Sequence, residues 1–266
     1  MYAPEKAKFL VGRSIDFASR LPEPVSRGKV NIHLNTLVSP EEWKDSLEYW
    51  QGAFDFLVKP VISEIIGYGK EKGVDILVET MIPRGYGDQN SIELCELFEP
   101  YPLLPNRGIQ EIRRSGGKIT FDTSHCDITA MFVRYCRRLR KEGIQNPHLY
   151  YGLFREDLEA LPKNFHLFQY LEHLENGDHL HLSGSRGLFR DPNLSKKLGV
   201  DPSFCFDGIE LGKGEMTKSR VAKIIKIAES KGADITVEII DYDVNNPMQT
   251  ERSVNFIAEL YETGYL

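Results

Sequence analysis

The stretch "KITFDTSHCD", residues 118–127, passes from a β-favouring run straight into an aspartate, two hydroxyls, a histidine and a cysteine. A strand that ends on Asp122 and is followed one turn later by His125 sets both side chains at the same end of a sheet. The ordinary alternative at this position is that Asp122 caps the next turn and His125 is a surface loop residue. The choice depends on whether other strands end the same way.

They do. Short apolar, β-branched runs recur at "KVNIHLN" (29–35), "VDILVET" (74–80), "DHLHLSG" (178–184) and "ADITVEII" (233–240), with a weaker one at "FCFDGIEL" (204–211). Near-continuous hydrophobicity rather than strict alternation suits parallel strands covered on both faces. Helical stretches separate them. Ser39-Pro40 is expected to start a helix that runs to Lys72, stops at Gly73 and is interrupted at Pro60. Asp127 is expected to cap a helix ended by Gly143, and Thr217 one closed by Gly232. The segment 155–177 reads as helix, a break at Pro162, and more helix.

Alternating strands and helices imply βα units and a parallel sheet. Glu79, Asp122, His181 and Glu238 fall inside or at the C-terminal end of four different strands. An open doubly wound sheet gathers its site at one switch point, whereas every strand of a (β/α)₈ barrel ends at one mouth. The expected fold is therefore α/β, a (β/α)₈-type TIM barrel in a single domain over residues 1–266. It is incomplete at the N-terminus, with about six recognisable parallel strands. Residues before 29 supply one amphipathic helix, with Ala7, Leu10, Ser14, Phe17 and Leu21 on one face, and no leading strands.

Composition narrows the class further. The chain has 266 residues, 41% hydrophobic and 27% charged, with a net charge of −6, which argues weakly against a nucleic-acid surface. No apolar run approaches the roughly 18 residues that span a bilayer. The N-terminus is charged and amphipathic, unlike a signal peptide. Cys95, Cys126, Cys136 and Cys205 form no CxxC pair, which fits reduced thiols and a cytoplasmic location. An open barrel side predicts homo-oligomer formation.

Three carboxylates and an imidazole at strand ends make a divalent-metal site suited to Mn, Mg, Co or Zn. Burying such carboxylates without a cation would be costly or force them to protonate. The expected ligands are Glu79, Asp122, His181 and Glu238, with His125 as a further ligand or substrate contact. His33 and His179 are possible accessory ligands. Arg186 and Lys213 are possible contacts for an anionic or hydroxylated substrate, and "GKGEM" (212–216) looks like a weak phosphate-cradling loop.

"NIHLN", "LVET", "FDTSH", "HLHLSGSR", "GKGEM" and "ITVEI" occur in the order seen in the xylose isomerase-like TIM-barrel superfamily, which the chain resembles from about residue 29 onward. The resemblance implies a single-metal isomerase quartet on Glu79, Asp122, His181 and Glu238. It also implies proton exchange by Glu79 and Glu238 beside the carbonyl of a small sugar or sugar phosphate, and a substrate contact from His125. The endonuclease IV branch resembles the chain at "FDTSH" and "HLSGSR" and implies instead a trinuclear zinc phosphodiesterase acting on abasic-site DNA. Phe206 and Gly208 stand where that branch needs an Asp-x-His ligand pair. A non-catalytic ligand- or partner-binding barrel is the remaining alternative.

Overall fold

Five of the apolar runs form strands in the computed structural model: β1 (Lys29–Ile32), β2 (Asp75–Glu79), β3 (Lys118–Asp122), β4 (His179–Leu182) and β5 (Asp234–Val237). The structure describes residues 4–21, 28–34, 36, 38–39, 41–83, 99–143, 152–185, 208–214, 216–239 and 247–266. The strands pair in parallel in the order β1-β2-β3-β4-β5. The sheet curls into a half-barrel with helices on its convex side, an incomplete TIM barrel. The expected sixth strand is not one of them. Of 204–211 only 208–211 are described, and there Ile209 makes an isolated antiparallel bridge to Gly184.

The strand register explains the curl. Lys29 pairs level with Asp75, but Lys118 pairs two residues up β2 with Leu77. Asp122 pairs level with His181, and the β4–β5 offset that joins His181 to Thr236 sets Glu238 two residues further on. The stagger therefore alternates none, two, none, two, about one residue per strand, as closure of an eight-stranded barrel requires. Along each strand one row of side chains faces out and is apolar. Ile76, Val78, Ile119, Phe121, Leu180 and Leu182 are all buried there. Each such side chain removed from water stabilises the fold by about 1.5–3 kcal/mol. The inward row is mostly polar, with Lys29 and Asn31, Glu79, Thr120 and Asp122, His179 and His181, Thr236 and Glu238, and buried Leu77 as an apolar member.

Helices α1 (Pro4–Ala18), α2 (Leu47–Ala53), α3 (Lys59–Glu71), α4 (Ile109–Arg114), α5 (Thr123–Lys141), α6 (Arg155–Ala160), α7 (Leu167–Leu171), α8 (Lys218–Lys231) and α9 (Met248–Glu262) cover the sheet. Helix α1 forms where expected but on another face. Ile15 and Ala18 are buried, while Leu10 and Phe17 are exposed. The helix expected from Ser39 begins instead at Leu47, because the Ser46 hydroxyl accepts the Tyr49 amide and supplies the cap. Ser39 and Glu42 only close a turn upstream. The Pro60 interruption is a π-helical turn over Phe54–Val58, after which Pro60 sits in the first turn of α3, where its missing N–H goes unneeded. Gly143 and Gly232 close α5 and α8 with positive φ, as read from the sequence. No described helix is long and apolar enough to cross a membrane.

Candidate metal centre

The cap of α5 differs from expectation in a way that matters for the site. Asp127 lies inside the helix, buried, and the cap is Asp122, whose Oδ1 accepts the His125 amide at 2.8 Å. The capping expected of Asp122 is therefore real, and it leaves part of the same carboxylate free to face the strand ends. Asp122 ends β3, caps α5, and presents its remaining oxygen capacity to the sheet mouth. Ser183, just beyond β4, donates its hydroxyl to the same carboxylate at 3.2 and 3.3 Å.

The alternating stagger brings four strand ends together. One ligand atom each from Glu79, Asp122, His181 and Glu238 lies within 4.8 Å of the others. Glu79 and Asp122 are each 2% exposed, the His181 side chain 14% and the Glu238 side chain 50%. Glu79 is the hub. Its Oε2 accepts from the Asn31 amide and stands 2.9 Å from His33 Nε2 and 3.5 Å from His181 Nδ1. Its Oε1 is 3.4 Å from His125 Nδ1. Burial alone would push Glu79 up, but the imidazoles of His181 and His33 beside it hold it well below the ordinary carboxylate range.

His181 responds in the opposite sense. Burial works to lower it, yet Glu238 and Glu79 raise it to about 10. Its Nδ1 is within ion-pair reach of both carboxylates but makes no well-aligned hydrogen bond, although it is buried. The proton held between this nitrogen and the Glu238 and Glu79 carboxylates marks the place that a cation would take. The donor set, three carboxylates and one imidazole, fits a hard or borderline divalent ion. Such an ion would replace the proton that otherwise offsets the acidic charge.

The other sequence candidates fall around this quartet. His125 is buried in the first turn of α5, with Nδ1 2.8 Å from the Thr80 carbonyl. His33 Nε2 stands 2.9 Å from Glu79 and is not part of the quartet. His179 faces the same concavity one step below His181, with Nε2 2.9 Å from the Thr236 hydroxyl, and is not part of the quartet. Lys213 is engaged with Glu210 at 3.0 Å. The Gly212 and Lys213 amides are spent inside their own turn, on Met216 and Glu210 carbonyls, so that loop does not offer them to a phosphate. Arg186 lies outside the described residues. Asn31 and Ser183 were not singled out by sequence. Asn31 shares the strand face of His33 in "VNIHLN", a signal that was present, whereas nothing in "HLSGS" marks Ser183 as a carboxylate partner.

No protein-family model matches the chain, and no curated protein sequence matches it. Among solved structures, the crystal structure of a D-tagatose 3-epimerase-like protein is similar, with a TM-score of 0.47 and 14% identity over 99% of this chain and 74% of that one.

Proposed function

We propose that the chain is a single-domain, divalent-metal-dependent isomerase or epimerase of the xylose isomerase-like superfamily, acting on a small sugar or sugar phosphate by proton transfer beside a carbonyl. The observation that carries this reading is the convergence within 4.8 Å of Glu79, Asp122 and His181 from β2, β3 and β4 and of Glu238 just after β5. These four would hold the ion. When bound, it would polarise a substrate carbonyl and make the neighbouring C–H more acidic.

The chain's own residues divide the remaining work. Glu238, half-exposed at the open side, takes the proton from the substrate carbon, and Glu79 stands across His181 to return one from the other side. His125, its ring fixed by the Thr80 carbonyl, holds a substrate hydroxyl. Asn31 and Ser183 keep Glu79 and Asp122 in place. Among the described residues a single group of side chains has metal-ligand geometry, which favours a one-ion isomerase over a trinuclear phosphodiesterase.

Metal content separates the alternatives. Elemental analysis after dialysis against Mn²⁺, Co²⁺ or Zn²⁺ should find about one ion per chain, lost in Asp122→Asn. With a ketose panel, Glu238→Gln should abolish exchange of the substrate C–H proton with solvent deuterium. A protein that binds none of these ions, or a Glu238→Gln variant with full exchange, would overturn the proposal.

A further inference from the structure

The outer helical layer holds a second concavity that the strand-end site does not use. A cleft of about 630 Å³ lies between α5, α7 and α8, with Arg134, Arg220, Lys223, His166 and Phe168 on its walls. A smaller one of about 330 Å³ continues along α8 past Lys223 to Lys226. The two share Ser219 and Lys223 and so lie side by side along α8 from its N-terminal turn, and are described together as a groove.

Its charge is unusual for this protein. The whole chain carries −6, yet Arg134, Arg220, Lys223 and Lys226 line the groove, with Asp127 the one carboxylate among its described lining residues. Asp127 is already committed, accepting from Ser185 at 3.0 Å and from Arg220 at 2.7 Å. Arg134 is steadied by the Phe165 carbonyl at 2.6 Å, and Lys223 rests its ammonium 4.2 Å from the centre of the Phe168 ring. Arg134, Lys223 and Lys226 meet no carboxylate among the described residues. Arg220, Lys223 and Lys226 follow one another at helical i, i+3 spacing, which in isolation is mildly repulsive. The N-terminal turn of α8 contains no acidic residue, so the helix dipole adds field of the same sign.

We infer that this groove binds an anion, a small molecule bearing a phosphoryl group, on the outer face of the half-barrel and away from the strand ends. Several convergent cations favour a group of more than one negative charge and several acceptor oxygens over a lone carboxylate. The cleft is open to solvent, and its volume is enough for a small anion. Phe168 and Met131 supply apolar wall for the body of the ligand.

Inorganic phosphate is the probe, titrated into the full chain at low ionic strength and followed by ³¹P line broadening and by thermal shift against matched chloride. Binding should weaken by about tenfold or more in Lys223→Glu and in Arg134→Glu, and to a lesser degree in the milder Lys223→Gln. Asp122→Asn should bind phosphate like the parent, which keeps this result separate from the fate of the metal centre. Absence of saturable binding at millimolar phosphate would overturn the inference. So would parent-like binding by the folded Lys223→Glu and Lys223→Gln variants, or loss in Asp122→Asn, which would put the anion at the strand ends.

Discussion

Lys29, at the start of the first strand, sets its ammonium 2.5 Å from Asp234 at the start of the last. The two edges of the sheet therefore face each other across the concave side. The contact closes the floor of the half-barrel and leaves the mouth, with the quartet, at the opposite end of the strands. It is a marker of the curl rather than its cause. Asp234 is 67% exposed, and an ion pair so wet contributes little. Lys29→Met should change the unfolding free energy in urea by no more than about 1 kcal/mol. Arg107→Met should behave differently. Arg107 grips Asp157, 0% exposed, through two nitrogens at 2.7 and 3.0 Å. Removing it strands a buried carboxylate at a cost of about 3–5 kcal/mol. Equal effects of the two substitutions would refute this ranking.

Asp122 caps α5 and, in the proposed function, also holds the ion, and substitution can separate the two. Asparagine retains an oxygen to accept the His125 amide but loses the negative charge. Asp122→Asn should melt near the parent when metal-free yet gain no stability from added Mn²⁺ or Zn²⁺. The parent should gain about 2.7 kcal/mol at a hundredfold excess over Kd. Asp122→Ala should lose the metal response and about 1 kcal/mol of cap as well. Thermal melts with and without metal read both effects. A metal response surviving in Asp122→Asn would remove this residue from the ligand set.

Asn31 offers a test of positioning. Its side-chain amide donates to the same Glu79 oxygen that His33 and His181 approach, and Asn31 is itself exposed. Asn31→Ala should leave stability unchanged and weaken metal binding by about 10–100-fold, the usual size of an outer-contact loss. Calorimetric titration with Mn²⁺ checks it. Parent-like affinity would mean the contact is incidental.

Much of this arrangement can be read from the chain because strand ends are local features. The apolar runs mark five strands, and a carboxylate or histidine closing each of four of them marks the quartet. What could not be read depends on competition between equivalent local signals. "DTSHCD" contains two aspartates able to cap, and the nearer one wins because it already ends β3. "SPEEWKDS" contains two serines able to start a helix, and the second is used. The contacts of Asn31 and Ser183 depend on register between strands far apart in the chain, which no local pattern encodes. The face of α1 is likewise set by packing on α3 and β1, with exposed Phe17 as the consequence.

Glu99 gives the fold a pH dependence of definite sign. It is fully buried, accepts from the Thr36 hydroxyl, from the Thr36 amide at 3.1 Å and from the Tyr101 amide at 2.9 Å, and so ties the segment after β1 to the one entering α4. Burial outweighs these donors and raises its carboxyl above the ordinary range. The folded chain then keeps a proton that the unfolded chain has released. Stability from this group is complete below the unfolded value, near 4.5, and declines as pH rises through the folded one. Glu99→Gln carries no charge at any pH. Its stability relative to the parent should therefore be nearly level at low pH and improve as pH rises, by about 1.4 kcal/mol per unit within the window. Urea unfolding of both proteins at matched ionic strength, from about pH 4 to 8, measures the gap directly. A gap that stays flat, or that widens toward acid, would mean that the three donors prevail and that Glu99 ionises in the folded chain as readily as in the unfolded one.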